Sequence, residues 1–431
     1  MSTEDPGARA AEPEDPTKAA APHGELAIPL DPRLMLRERG VRGYWDVFVR
    51  RMKAGELGSI PVVVGLVVIW VVFQLLDSRF LSANNLSNLV QQMSAVGIIS
   101  VGIVLVLLLG EIDLSVGSVS GLTSAILAVL NVTHGWATVP AILAALLAGT
   151  AIGLVHGFFF AKVGVPAFVV TLAGLIGWQG LQLTVLGDQG TINFQFNGGI
   201  AKLANTFYTP GVGYAIAAVV IVIYVLAMLA GARRRASANL PARPLSETVL
   251  RAVFLAIALV VVVYIMNKAR GLPLALVIFG GIVVIFDLIL RRTLYGRYVF
   301  AVGGNPEAAR RAGINVTMIR MTVFMLCSTL AAAGGIMAAS RLYAVNQSSG
   351  GSDVLLNAIA AAVIGGTSLF GGRGSTYSAL LGILVIQSIT NGMLLLNLGT
   401  DVRFMITGGV LLAAVTVDAV ARRGREASGR A

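Results

Sequence analysis

The sequence predicts an all-α fold: a polytopic integral membrane bundle of about 10–12 transmembrane helices, some broken or re-entrant. Three observations predict it. Mean hydropathy is +0.83 over 431 residues. Only 12% of the residues are charged, against about 25% in an ordinary soluble domain. Apolar runs close to bilayer length recur from Ile60 to Val420. Lipid offers no partner to a bare peptide group, so such runs must satisfy their backbone internally, as helices.

Taken in order, residues 1–45 are polar, mix acids with bases, and carry Pro at 6, 13, 16, 22, 29 and 32. They read as a disordered tail. The stretch GYWDVFVRRMK (43–53) reads as a short interfacial helix, with Trp45 and Phe48 on one face and basic residues for anionic headgroups. Twelve apolar segments follow: 60–77, 93–110, 114–131, 137–161, 165–187, 212–231, 249–267, 271–290, 317–340, 353–370, 375–397 and 402–420. The 114–131 and 353–370 segments carry the weakest signal and are the candidates for broken or re-entrant helices. Residues 422–431 read as a second tail, which leaves 46–421 as the membrane domain.

The formal charge of +11 is explained by a membrane location, because Lys and Arg accumulate in cytoplasmic loops. No nucleic-acid partner is inferred. With the N-terminus inside and all twelve segments crossing, 26 of the 32 Lys and Arg residues fall on the cytoplasmic side. Both termini are then cytoplasmic. So is the polar interruption YGRYVFAVGGNPEAARRAGINV (295–316). The single cysteine, Cys327, excludes an intrachain disulfide and reads as a small buried hydrophobe. His23, His134 and His156 lie far apart and form no metal-ligand pattern, so neither metal nor cofactor is expected. The G-x-x-x-x-G-K-[ST] phosphate loop does not occur in the sequence. No Ser–His–Asp arrangement is visible either, and the chain is not expected to be an enzyme.

Four groups of residues remain as candidates for function. In GEIDLSVGS (110–118), Asp113 or Ser115 can cap the next helix by accepting its orphan N–H groups. An acid near bilayer depth also admits a proton or cation relay. Gln387 and Asn391 share one helical face at i, i+4, and Gln179 and Gln182 another at i, i+3. Such amides can line a path for a hydroxylated solute or bond helix to helix. A faint internal echo relates LLLGEIDLSVGSVSGLTSAIL (107–127) to AVIGGTSLFGGRGSTYSALLGIL (362–384). Transporters commonly contain such repeats. Finally, Asn305 as N-cap, Pro306 at the first turn, Glu307 at the positive end of the dipole and Gly313 as terminator define a helix of about two turns. Arg310 and Arg311 lie near its end. Alone it would be marginal in water, so it must dock on something.

At these residues the chain resembles a known family. VGGNPEAARRAGI resembles the coupling-helix loop of bacterial ATP-binding-cassette importer permeases, with Glu307, Ala308, Ala309 and Gly313 as its core. GEIDLSVGSVSGL and AVIGGTSLFGGRGS resemble two further signatures of the ribose/xylose/galactose branch. The first usually begins Gly-Gly, and Glu111 stands in place of the second Gly. An added apolar portion (about 212–291) makes the chain most similar to the xylose type. The resemblance implies a homodimeric channel in the bacterial inner membrane, moved by separate ATPase subunits and fed by an extracytoplasmic sugar-binding protein. Asn305, Pro306, Glu307, Ala308, Ala309, Arg310, Arg311 and Gly313 would contact the ATPase. An ion-coupled sugar carrier and a non-transporting scaffold are the other readings.

Overall fold

A computed structural model describes residues 60–237 and 245–427. The expected tail at 1–45 and interfacial helix at 43–53 lie outside them. Each of the twelve apolar segments forms a helix: α1 (Ile60–Leu76), α2 (Ala83–Leu108), α3 (Val116–Ala128), α4 (Thr138–Phe158) and α5 (Ala167–Leu186), then, past a short α6 (Gly199–Asn205), α7 (Pro210–Ser237), α8 (Leu245–Asn267) and α9 (Leu274–Arg292). Two short helices, α10 (Leu294–Gly304) and α11 (Pro306–Arg311), lead into α12 (Val316–Leu342), α13 (Ser352–Ile364), α14 (Thr376–Leu395) and α15 (Thr400–Ala427). Among the described residues nine helices are long and apolar enough to cross a membrane, and α1 and α13 are shorter apolar helices. The fold is the expected polytopic helical bundle.

The boundaries differ in instructive ways. Helix α2 begins at Ala83, ten residues before the expected start at 93. Ser82 caps it by accepting the Asn85 N–H. Its first turns carry Asn84, Asn85, Ser87, Asn88, Gln91 and Gln92, which dilute the apolar signal. The 353–370 segment is broken, as its weak signal suggested: α13 stops at Ile364 and residues 365–375 form a turn. The 114–131 segment becomes α3 followed by one π turn, Val129–Thr133. At the far end, α15 runs six residues past the boundary expected at 421.

Helix α2 is the axis of the bundle and is buried along most of its length. Helices α12, α14, α9 and α13 pack around it. The second axis, α12, lies closely on α4 through Gly149, Gly153 and Gly157, spaced four apart on one face. A methyl group at Gly153 would fall 2.6 Å from the Met325 Cα, and one at Gly157 would fall 2.8 Å from the Met321 Cα. Small residues of this kind let two membrane helices touch backbone to backbone. Helices α7 and α8 pair with each other and turn Val222, Ile223, Phe254 and Ile257 outward. Apolar residues on the outer face suit contact with lipid.

Four two- or three-residue strands close one end. β1 (Thr191–Asn193) pairs antiparallel with β4 (Ala344–Asn346), and β2 (Phe207–Tyr208) with β3 (Leu272–Pro273). The turns at 109–115 and 365–375 and the α10–α11 segment lie at the other end. There the Gly372 N–H donates to the Leu108 carbonyl at 2.9 Å.

Candidate functional site: a capped surface helix and the turns beneath it

Helix α11 is built by its caps. Asn305 is extended (φ −158°, ψ 104°) and its Oδ1 accepts the Ala308 N–H at 2.9 Å. Pro306 occupies the first helical position, where a missing N–H costs nothing. Gly313, at φ +82°, then reverses the chain, and the Ile314 N–H returns to the Ala309 carbonyl. Two residues later Asn315 caps α12 by accepting the Met318 N–H at 3.0 Å. The result is six residues with fixed ends. Ala309 is buried and seats the helix. Asn305, Glu307, Ala308, Arg310, Arg311 and Gly313 are exposed, and Pro306 is partly covered. Arg310 Nη1 meets Glu307 Oε1 at 2.7 Å, one turn away.

The turn after α2 lies next to this segment. Glu111 faces Arg320 at 4.0 Å, and the Arg320 guanidinium lies over the Phe160 ring at 4.7 Å. Burial pushes the Glu111 carboxyl above its ordinary range, and the Arg320 charge opposes this only in part.

Asp113 is buried, and its Oδ1 accepts both the Ser115 N–H (2.8 Å) and the Ser115 hydroxyl (2.6 Å). The cap expected of Ser115 therefore needs correction. Ser115 flanks α3, but its hydroxyl makes no capping bond to the helix. It is turned to Asp113 instead, and Asp113 takes the N–H of Ser115 rather than one of the helix's first-turn groups. His156 joins them. The Trp178 indole, which can only donate, gives its N–H to His156 Nε2 at 2.8 Å. That leaves the ring proton on Nδ1, which faces Ser115 Oγ at 3.4 Å. Trp178, His156, Ser115 and Asp113 thus form one directed chain across α5, α4 and the start of α3.

The four candidate amides separate. Gln387 Nε2 donates to Gln92 Oε1 at 2.9 Å, and Asn391 Oδ1 accepts from Asn85 Nδ2 at 2.7 Å. Both bonds run from α14 to α2, and Gln387 and Asn391 are buried. Gln182 is also buried and donates to the Asn346 and Ser349 carbonyls at 3.1 and 3.0 Å. It holds the loop before α13 down against α3. Gln179 lies on the exposed side of α5. Three of the four are engaged between elements.

A family model described as the permease component of a branched-chain amino acid transport system matches residues 85–415. The chain belongs to this permease family. It is 35% identical over 352 residues to a xylose transport system permease protein of Escherichia coli (strain K12), covering 80% of this chain and 88% of that one. It is 32% identical over 369 residues to a xylose transport system permease protein of Haemophilus influenzae, covering 85% and 98%. A ribose import permease protein of Escherichia coli (strain K12) is 33% identical over 355 residues, covering 82% and 92%. No solved structure matches the chain.

Among the described residues, the permease thus places its candidate polar groups on the exposed α11, in the amide bonds between α2 and α14, in the Gln182 contact with the loop before α13 and in the Asp113 chain. Reading the sequence missed His156, Trp178, Asn85 and Gln92. Nothing in linear spacing joins His156 to Asp113, 43 positions away. The amides of α2 carried a usable signal, since Asn85 and Gln92 lie seven apart on one helical face.

Proposed function

We propose that the permease carries a monosaccharide, xylose first, across the bacterial inner membrane as the membrane subunit of an ATP-driven importer. The observation that carries this reading is α11: a short helix, capped at both ends, anchored by one buried alanine, with its charged residues exposed. A six-residue helix has little intrinsic stability, so such strict end control suits a docking element. The xylose and ribose relatives supply the substrate class.

In this reading the permease forms a homodimer, and each copy seats α11 in a groove of a separate ATPase subunit. An extracytoplasmic sugar-binding protein delivers substrate at the end closed by the four short strands. Both termini face the cytoplasm. ATP brings the ATPase subunits together, α11 moves with them, and the bundle alternates its access. Such coupling requires the ATPase to bind the two permease states with different affinity. Glu307 and Arg310 lose little by leaving each other, because an exposed pair is worth at most about 1 kcal/mol. They are free to bond across the interface.

The test is reconstitution with the ATPase and binding protein, followed by uptake of labelled xylose, ribose and galactose. Uptake that needs ATP and is abolished by Glu307→Lys, with the protein still inserted, is the expected result. Normal uptake by that variant, or uptake driven by a membrane potential without ATP, overturns the reading.

A further inference from the structure

Gly303 is the penultimate residue of α10, the helix that leads into α11, and its Cα has no room for a side chain. A methyl group there would collide with the Leu108 carbonyl oxygen and approach the Gly372 nitrogen to 3.0 Å. One at Gly371 would lie 2.5 Å from the Gly303 oxygen and 2.9 Å from the Gly110 nitrogen. One at Gly110 would lie 3.3 Å from the Phe370 oxygen. Three stretches of bare backbone therefore meet: the turn after α2, the turn after α13, and the end of α10. The Gly372 N–H to Leu108 carbonyl bond, 2.9 Å, ties the first two together.

These two turns are the halves of the internal echo. Each has a glycine in the left-handed region at its second position, one residue past the helix cap: Gly110 at φ +79° and Gly366 at φ +100°. Each then feeds the next helix, α3 and α14 respectively. The sequence likeness is faint, but the paired turns share one backbone device and touch each other. Gly303 lies against both.

We propose that Gly303, Gly110 and Gly371 form a backbone joint that passes movement of α11 to both echoed turns together, and so to α3 and α14. The proposal rests on the importer reading and adds the route by which force leaves the coupling helix. Side chains can absorb a small shift by changing rotamer. A contact made only of peptide groups at close-packed distance has no such slack. The glycines are positioning residues, and none is assigned contact with the sugar.

Two measurements test this on the full chain assembled with its ATPase subunits. The first compares Gly303→Ala with Gly304→Ala, the latter open to solvent with no atom within 4 Å of an added methyl. In Gly303→Ala, ATP hydrolysis should persist while xylose uptake falls at least about tenfold, and Gly304→Ala should retain uptake. Equal uptake in the two variants overturns the joint. The second uses the wild-type complex and so does not depend on a variant folding. On adding a non-hydrolysable ATP analogue, hydrogen exchange should change in concert in peptides covering 106–113, 300–305 and 369–374. A change confined to 300–305 overturns the joint and leaves the importer reading standing. A wild-type chain that binds no ATPase subunit overturns both.

Discussion

At the scale of single residues, the buried amides are the first test of how this permease uses polarity. Asn85 and Asn391 meet at 2.7 Å across two membrane helices. Bonds of this kind average about 0.6 kcal/mol and reach about 1.7 kcal/mol. A double-mutant cycle with Asn85→Ala and Asn391→Ala, read by unfolding in detergent, should give a coupling energy in that range. Sugar selectivity should be unchanged, since both amides are buried and bonded to each other. Glu111 gives a second residue-level prediction. Its carboxyl is raised by burial, so the folded chain holds this proton more readily than the unfolded chain does. The resulting stabilisation is full below the ordinary carboxylate range and is lost as pH rises through the raised value. Glu111→Gln should therefore be more thermostable than wild type at neutral pH, and the gap should close on acidification. A gap that widened at low pH would show the Arg320 contact to be the larger effect.

At the scale of elements, α11 and the α4–α12 pair make opposite demands. The first depends on its ends. Asn305→Ala removes a cap worth about 1 kcal/mol, enough to matter in a six-residue helix. Hydrogen exchange across 306–312 should speed up and retention of the ATPase subunit should weaken, with the rest of the bundle unchanged. The α4–α12 pair depends on its middle. Gly153→Leu should cost about 1–3 kcal/mol by forcing two backbones apart. Gly177→Leu, where an added carbon meets nothing within 4 Å, should be close to neutral. The two elements also differ in how legible they were. Asn-Pro, the first-turn acid and the terminating glycine are local instructions, and a local reading recovers α11 almost residue by residue. The glycines of α4 were merely three among the 50 in the sequence. Their role depends on which helix lies opposite, which local sequence does not state. For the same reason the faces Gln387/Asn391 and Asn85/Gln92 are each legible, while the pairing of one with the other is not. The late expected start of α2 has a related cause: buried amides satisfied by other helices look to a hydropathy window like loop residues.

At the scale of the whole molecule, the remaining question is which end of the bundle faces the cytoplasm. The chain's own charges argue one answer. The end that holds α11 carries Lys162, Arg233, Arg234, Arg235, Arg291, Arg292, Arg297, Arg310, Arg311, Arg320 and Arg373 on or beside its turns. The end with the four short strands carries Arg79, Lys202, Lys268, Arg270, Arg341 and Arg403. The excess of positive charge predicts that the α11 end is cytoplasmic. Cys327 is fully buried, so the native chain should be silent to a membrane-impermeant maleimide. Two exposed positions then serve as reporters. Phe196 lies in the loop just after β1 and is 76% exposed. Arg311 closes α11 at the opposite end. In intact spheroplasts Phe196→Cys should label and Arg311→Cys should not, until the membrane is opened. The reverse pattern would put α11 out of reach of any cytoplasmic ATPase, and the importer reading would fall with it.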